Sequence, residues 1–277
     1  PKPSSAASDV YKRQLPLFAL AWSCAKDDAG TAERAKARLT LNILEEGPRL
    51  AARAADEKAV QDVNVFLYDV RGIARPQHFY VQGGVLACSV PVGEYEVYAV
   101  ANLHEDMGAM DRGALLAYEF RMPRNYASLP MSGRAACTVG PKTQSITVSV
   151  RRNVAKIVCN ISFYGTNYNL KLQSVQMMDM AGVTTLFAED QQARELCSSE
   201  LSAMAPYENR KASRTFFLAE NCRGEVLGIA SQQQKCADNA PAGATFLRIK
   251  AQREGKLLTY DCLLYTSPSP RDRTRSR

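Results

Sequence analysis

The sequence is poor in the side chains that most enzymes use for catalysis and metal binding. Its 277 residues include two histidines and one tryptophan. His78 and His104 are too far apart in sequence to form a paired-histidine metal motif on one helix. The Cys-x-x-Cys spacing, the Gly-x-Ser-x-Gly nucleophile elbow and the glycine-rich phosphate-binding motifs are also missing. We therefore expect a protein that has no enzymatic activity, no cofactor and no metal site.

Both ends of the sequence resemble translated sequencing adapter. The strings DVYKRQ (9–14) and CLLYTS (262–267) can be encoded by nearly reverse-complementary DNA, as in the transposon ends used to fragment DNA. We therefore expect Pro1–Gln14 and Cys262–Arg277 to be adapter-derived rather than native. These two segments carry five of the seven net positive charges of the chain. The basic charge therefore gives no support for binding of nucleic acid.

The apolar run LPLFALAWS (15–23) is too short to span a bilayer as a helix. A short apolar run that ends in Ser23-Cys24 is typical of a bacterial lipoprotein signal, in which the cysteine becomes the lipidated N-terminus. We predict that Cys24 carries the lipid. The following AKDD (25–28) is similar to the surface-export signal of Bacteroidetes lipoproteins. The alternative is a buried apolar helix that contains an ordinary cysteine.

Alternation of apolar and polar residues dominates the rest of the chain, and 145–163 shows it best. Ile146, Val148 and Val150 alternate with small polar residues, and a second alternation follows the joint Arg151-Arg152-Asn153. A period of two residues predicts half-buried β-strands. The polar joint predicts that the last strand of one β-domain runs directly into the first strand of a second.

Further strands are predicted where β-branched and aromatic residues alternate between turn signals. They lie at 39–43, 63–69, 79–81, 85–90, 95–101, 137–139, 170–178, 184–187, 215–218, 245–249 and 257–260. Gly72 supplies the positive φ that a hairpin turn requires. One helix is predicted at Asp111–Phe120, a polar helix or a long loop at 190–204, and a turn at Leu129–Gly133.

Strand and turn signals about ten residues apart, without regular helices, predict an all-β protein built of sandwich domains. The predicted organisation is adapter at 1–14, the end of a signal peptide at 15–24, a tether at 25–36, an N-terminal β-sandwich at 37–151, a second and incomplete β-sandwich at 152–261, and adapter at 262–277.

Six of the eight cysteines lie between the predicted lipidation site and the C-terminal adapter. An even number in an oxidising compartment is compatible with disulfides. Cys88 and Cys159 lie within apolar alternations and are expected to be small core residues. Cys222 and Cys236 flank a loop and are the preferred candidates for a disulfide.

Taken together, several segments resemble the fimbrillin-like surface proteins of Bacteroidetes, which are the subunits and anchors of fimbriae. The first half contributes the lipoprotein leader, VNVFLYD (63–69) before Gly72, VPVGEYEVYAVAN (90–102), LPMSG (129–133) and SVRRNVAKI (149–157). The second half contributes LQSVQMMDMAGVTTLF (172–187), FFLAENCRG (216–224) and PAGATFLRIKA (241–251). The resemblance implies two tandem transthyretin-like (Greek-key) β-sandwiches. It also implies a structural subunit, anchor or tip adhesin of fimbriae at the outer membrane.

The resemblance further implies assembly by donor-strand exchange, in which an extended segment of one subunit fills a groove in the next. In polymerising members, an arginine-specific protease removes the first strand and opens the groove. Here the first strand is LTLNI (39–43), and cleavage after Arg49 or Arg53 would remove it. The alternative is that both are ordinary exposed arginines. The expected partners are other fimbrial subunits, the outer membrane through Cys24, and ligands on host or bacterial surfaces.

An alternative function is that of a glycan-binding lipoprotein at the cell surface. Such a protein would need exposed aromatic rings, and the single tryptophan lies in the leader. Tyr126, Tyr164 or Tyr168 would then have to supply the rings. A secreted hydrolase is a further alternative, and it would need clustered acids or a histidine-centred site.

Overall fold

Strands dominate the computed structural model, which describes residues 35–46, 60–122, 128–142, 144–162, 170–188, 191–199, 211–224 and 236–264. The strands are β1 (Lys36–Glu45), β2 (Asp62–Asp69), β3 (Gln77–Gln82), β4 (Val85–Pro91), β5 (Gly93–Ala101), β6 (Glu119–Arg121), β7 (Met131–Val139), β8 (Gln144–Arg152), β9 (Val154–Ser162), β10 (Leu170–Met178), β11 (Met180–Thr185), β12 (Arg194–Cys197), β13 (Lys211–Ala219), β14 (Phe246–Arg253) and β15 (Lys256–Leu263). The helical elements are α1 (Arg112–Leu116) and the 3₁₀ turns Cys222–Gly224 and Ala237–Asn239.

The first half of the chain folds one hydrogen-bonded sheet back on itself as a sandwich. The strand order is β3-β2-β5-β7-β8-β1-β4. Strand β8 belongs to both layers, because its first part pairs in parallel with β1 while Arg151 and Arg152 pair with the start of β7. At this corner a Cβ on Gly133 would lie 2.0 Å from the carbonyl oxygen of Ser149, so only glycine fits.

The core of the first half lies between the layers β3-β2-β5-β7 and β8-β1-β4. Strand β1 contributes Leu39, Leu41 and Ile43 from alternate positions, as its sequence pattern predicts. All eight residues of β2 are buried. Val65 is one of those that face this core, whereas Phe66 faces the opposite side. Strand β2 is therefore covered on both faces.

A second core lies on the outer face of β2 and β5, and it joins the two halves of the chain. Its buried members are Phe66, Tyr68, Tyr98, Val100, Leu115, Phe120, Leu129, Val154 and Leu186. Helix α1 covers part of this face, and its N-terminus is capped by Asp111, whose Oδ1 accepts a 2.7 Å hydrogen bond from the amide of Ala114. Strand β6 then pairs with β11 of the second half, within the sheet β12-β11-β6.

The second half forms two further sheets, β9-β13 and β10-β14-β15. They enclose a smaller core, whose buried members are Leu172, Val175, Met177, Phe216 and Leu218. Strand β9 begins at Val154, with Asn153 alone separating it from β8. The joint predicted from the sequence is therefore the point at which the chain passes from the first set of sheets to the second.

The predicted strands of the first sandwich are confirmed, and so is the turn at Gly72, which has a φ of 69°. The all-β sandwich fold class is confirmed as well. The domain limits and the adapter segments stay predictions. Strand β15 continues through Cys262 and Leu263, the first two residues of the segment assigned to adapter, and Leu263 is buried.

Four local predictions are only partly right, because strand pairing overrides the local sequence signals. The helix predicted at 111–120 ends at Leu116, since Glu119 and Phe120 pair with β11. The turn predicted at 129–133 contains the start of β7. Part of the segment predicted as a polar helix or long loop forms β12, and the strand predicted at 184–187 lies at 180–185 instead. Among the described residues, no helix has the length and apolar character needed to cross a bilayer.

Candidate functional site

Strand β1 is the first strand of the described fold and occupies the middle of its layer. It pairs antiparallel with β4 on one side and parallel with β8 on the other. Leu39 and Leu41 have no exposed surface, and Ile43 is 3% exposed. Removing β1 would therefore expose two strand edges and the core beneath them.

The slot that β1 fills has a defined chemistry. Its walls are the backbone edges of β4 and β8, which offer amide and carbonyl groups to an extended segment. The core-facing side chains of these two walls are apolar and include Leu86, Val90, Val148 and Val150, all buried with β1 in place. Such a slot selects a strand with apolar residues at every second position, since only alternate side chains point inward.

The end of β1 is fixed to β8 by two ion pairs. Nε of Arg152 lies 2.9 Å from a carboxylate oxygen of Glu45, and Nε of Arg151 lies 3.2 Å from one of Glu46. The amide of Glu46 donates to the carbonyl oxygen of Val150 at 2.8 Å. These contacts lie directly before 47–59, the connection that contains the two candidate cleavage positions.

Most of the residues assigned to a site from the sequence lie outside the described residues. These are Cys24, Arg49, Arg53 and the tyrosines Tyr126, Tyr164 and Tyr168. Cys222 starts one 3₁₀ turn and Cys236 precedes the other, and the disulfide between them stays a prediction.

Cys88 and Cys159 pack against the cores of the first and second halves, respectively, as predicted. Burial raises the pKa of both thiols. Burial and the nearby Cys88 raise the pKa of Cys137, which also packs against the first core, to about 11. These thiols are therefore protonated at neutral pH, which suits a packing role.

The sequence does not reveal a network in which His104, whose side chain is 47% exposed, links the buried residues Asp62 and Ser128. Nδ1 of His104 lies 2.6 Å from a carboxylate oxygen of Asp62, and Nε2 lies 2.7 Å from the hydroxyl oxygen of Ser128. If the carboxylate is ionised and the imidazole neutral, Nδ1 donates to Asp62 and Nε2 accepts from Ser128. These connections match those of a hydrolytic triad.

The surroundings of this network favour a structural role. Ser128 is 2% exposed, whereas a nucleophilic hydroxyl must reach its substrate. His104 has a φ of 59°, and its backbone amide also donates to Asp62. The neighbouring Asn102 donates to the carbonyl oxygen of Leu129 and accepts from the amide of Gln61. The network thus ties three distant segments together, and its partners are too far apart in sequence to form a recognisable motif.

A cavity of about 1040 Å³ lies beside the joint between the two halves. Asn153 lines it and donates to the carbonyl oxygen of Leu186 at 2.7 Å, while its Oδ1 is buried without a partner among the described residues. Among the described residues of the lining, Phe187 is the only aromatic one, and its ring packs edge-on against Tyr98 at 5.1 Å. The described lining therefore offers a single aromatic ring, and the tyrosines of the glycan-binding alternative lie outside the described residues.

Comparison with protein families gives one match, at 216–264, to a domain of unknown function, DUF4906. The matched segment contains the end of β13, together with β14 and β15. No curated protein sequence matches the chain.

Solved structures match most of the chain. The tip fimbrial protein Mfa3 from Porphyromonas gingivalis, with a C-terminal truncation, is 18% identical with a TM-score of 0.58, over 84% of this chain and 83% of that one. A protein from Bacteroides eggerthii with a proposed role in cell adhesion is 15% identical with a TM-score of 0.61, over 86% and 82%. A protein from Parabacteroides distasonis, also with a proposed role in cell adhesion, is 12% identical with a TM-score of 0.57, over 82% and 79%. The chain therefore shares its fold with a fimbrial tip protein and with proteins assigned to cell adhesion.

Proposed function

We propose that this protein is a cell-surface lipoprotein of the fimbrillin-like group of Bacteroidetes, acting as a structural subunit, anchor or tip adhesin of fimbriae. The observation that carries the proposal is the fold shared with the tip fimbrial protein Mfa3 over 84% of the chain. A shared fold does not by itself fix a function. The order of the sequence segments that resemble fimbrillin-like proteins supports the same assignment.

Assembly proceeds by donor-strand exchange into the slot of β1. Cleavage after Arg49 or Arg53 would leave β1 held by hydrogen bonds, apolar contacts and the two ion pairs alone. An extended segment of another subunit with apolar residues at alternate positions could then replace it. The support for this step is the position of β1 between β4 and β8, with its inward residues fully buried.

The test of assembly is brief digestion of the full chain with an arginine-specific protease, followed by a mildly denaturing gel. The chain carries Cys24→Ser, so that no lipid contributes to association. We expect a ladder of oligomers after the cut. Arg49→Lys/Arg53→Lys keeps the charges but resists the protease, and it should remain monomeric. A wild-type chain that is cut in 47–59 and stays monomeric would argue against a polymerising subunit and leave the roles of anchor and tip.

Anchoring depends on Cys24 and places the protein at the outer membrane. The test is expression of the natural gene in a lipoprotein-processing host and mass measurement of the N-terminal peptide. We expect a diacylglycerol thioether on Cys24 that is absent from Cys24→Ser. Recovery of the wild-type peptide without lipid would contradict the anchoring.

The protein performs this role without catalysis, so the network of Asp62, His104 and Ser128 serves the fold. A fluorophosphonate probe, which labels activated serines, should leave Ser128 unmodified in the folded chain. Labelling of wild type that is lost in His104→Gln would support the hydrolase alternative instead.

A further inference from the structure

The loop Val70–Pro76 joins β2 to β3 and combines exposed aliphatic and cationic side chains. Val70 and Ile73 are each 59% exposed, which places them among the most exposed large apolar residues of the described chain. Arg71 and Arg75 lie between and beside them and are also exposed. We call Val70–Pro76 the basic loop. Exposed apolar side chains that cluster within a polar rim can mark an interaction site.

The basic loop is held in a fixed shape by Asp69. One carboxylate oxygen of Asp69 accepts from the amide of Arg71 and the other from the amide of Ala74, each at 2.9 Å. The carbonyl oxygen of Asp69 accepts from the amide of Gly72, also at 2.9 Å. Gly72 has the positive φ that this turn requires. The exposed side chains are thus presented by an ordered turn, which lowers the entropy lost on binding.

The basic loop lies at the end of the first sandwich where the chain enters from the N-terminal segment. The amide of Val70 donates to the carbonyl oxygen of Glu94, and the amide of Val92 donates to the carbonyl oxygen of Ala35. Residues 92 and 94 flank Gly93, the first residue of β5. Ala35 and Val70, which form hydrogen bonds with them, therefore lie at the same end of the sandwich. The segment 25–35 spans at most about 40 Å even when extended.

Other cations lie at the same end. Val139 at the end of β7 pairs with Gly93, and the next turn presents Lys142, which is exposed. Lys36 begins β1 opposite Pro91. Among the described acidic residues at this end, Glu94 is exposed and Asp69 is buried within the loop. A cationic surface with two protruding aliphatic side chains complements a layer that has anionic head groups above acyl chains.

We propose that the basic loop docks onto an anionic lipid surface, so that this end of the first sandwich faces the membrane. The orientation rests on the proposed function, because it requires the lipid on Cys24 to hold the end of β1 near the bilayer. Arg71 and Arg75 contact the anionic head groups, and Val70 and Ile73 enter the interface. The rest of the fold, including the slot of β1, then projects away from the membrane at the cell surface.

The test is flotation of the full chain, carrying Cys24→Ser, with vesicles of phosphatidylglycerol and phosphatidylcholine. We expect binding at low salt, loss of binding at high salt, and little binding to vesicles of phosphatidylcholine alone. Arg71→Gln/Arg75→Gln should weaken binding about fivefold for each arginine removed. Val70→Ser/Ile73→Ser should also weaken vesicle binding about fivefold for each aliphatic side chain removed, because neither serine contributes to burial in the apolar layer.

Two matched controls keep the test specific. Lys171→Gln/Arg253→Gln removes two exposed cations from the paired strands β10 and β14. Val158→Ser/Leu196→Ser removes two exposed aliphatic side chains from β9 and β12. Both should bind vesicles as the parent chain does. The proposal would be overturned if the loop variants and the controls lost vesicle binding equally. It would also be overturned if the parent chain did not bind the vesicles. Loop variants that change oligomer formation and leave vesicle binding intact would show that the loop contacts a protein.

The result is independent of lipidation, because Cys24 is absent from every chain compared. If the mass measurement finds no lipid on native Cys24 while the vesicles bind the basic loop, the anchoring fails and the lipid contact stands. If native Cys24 carries lipid and the vesicles do not bind, the basic loop is not a membrane contact and the anchoring stands.

Discussion

The two halves of the molecule differ in how completely their strands are covered. In the first half, the central strand β2 is buried along its whole length, with one core on each face. In the second half, the inward residues of β9 are only half-buried, and the edge strand β15 leaves Leu257 61% and Tyr260 57% exposed. Because apolar burial is the main source of stability, we expect the described part of the first half to contribute more to the folding free energy than that of the second.

This difference shows how the second half depends on the first. Val154 and Leu186 of the second half are buried against the outer face of β2 and β5, and Phe187 packs on Tyr98. Strand β11 also pairs with β6, which belongs to the first half of the chain. We therefore expect the first half to tolerate loss of the second better than the reverse.

The largest effect should come from the centre of the first sandwich. Leu41→Ala should lower the free energy of unfolding by about 2–5 kcal/mol, because the residue is fully buried and leaves a cavity. The comparison change on the edge strand of the second half, Leu257→Ala, removes a side chain that is 61% exposed and should stay within about 0.5 kcal/mol. Denaturant unfolding monitored by tyrosine fluorescence measures both. Similar losses of unfolding free energy in the two variants would contradict the difference in burial between the two halves.

The contact between the halves should have the next largest effect. Phe187→Ala removes a half-buried ring and should cost about 2 kcal/mol, roughly half the loss expected for a fully buried phenylalanine. Hydrogen exchange should speed up in β9 and β13 before it changes in β2. Tyr260→Ala, which removes an exposed ring from the same half, is the control. Uniform acceleration across both halves would show that they unfold as one unit.

The Asp62 network should contribute somewhat less. Asp62→Ala leaves the ring and the backbone amide of His104 without their buried acceptor, which should cost about 1–3 kcal/mol. Asp62→Asn retains one carbonyl acceptor and should recover part of this loss. Thermal unfolding of the three chains gives the comparison. An alanine variant as stable as wild type would mean that the network does not tie the first half together.

The smallest effect should be a pH dependence that originates in the first half. Burial lowers the pKa of His78, although Asp106 opposes the shift. The unfolded chain therefore takes up a proton near the ordinary value of about 6.5, before the native chain does. Stability should fall as the pH drops through this value and level off below the folded pKa. His78→Gln should flatten the dependence between pH 7.5 and 5, measured by denaturant unfolding, and an unchanged slope would contradict the assignment.

The regular strands could be predicted from the sequence because their patterns are local. The spacing of Leu39, Leu41 and Ile43 predicts the inward face of β1. The limits predicted for β10, 170–178, are the observed ones. Elements that depend on distant partners could not be predicted. Phe120 lies in an apparent helix pattern and joins β6 only because β11 lies beside it.

The candidate site was accessible to sequence reasoning only in part. The alternation in β1 predicts its inward residues, but its place between β4 and β8 depends on strand order, which the alternation does not encode. The network of Asp62, His104 and Ser128 unites three positions that carry no shared motif. The basic loop was recognised as a turn from Gly72, while its location at the N-terminal end follows from hydrogen bonds at residues 92 and 94.

The central claim is that the slot of β1 accepts an extended segment with alternating apolar residues. The most direct measurement uses the protein cut in 47–59, freed of its N-terminal fragment in denaturant and refolded with a labelled peptide, KARLTLNILE (36–45). The comparison peptide carries serine in place of Leu39, Leu41 and Ile43, so that it lacks the alternating apolar face. Saturable binding of the first peptide, at least about tenfold tighter than the second, is the expected result. Equal binding of both peptides, or binding of neither to a refolded chain, would contradict the claim.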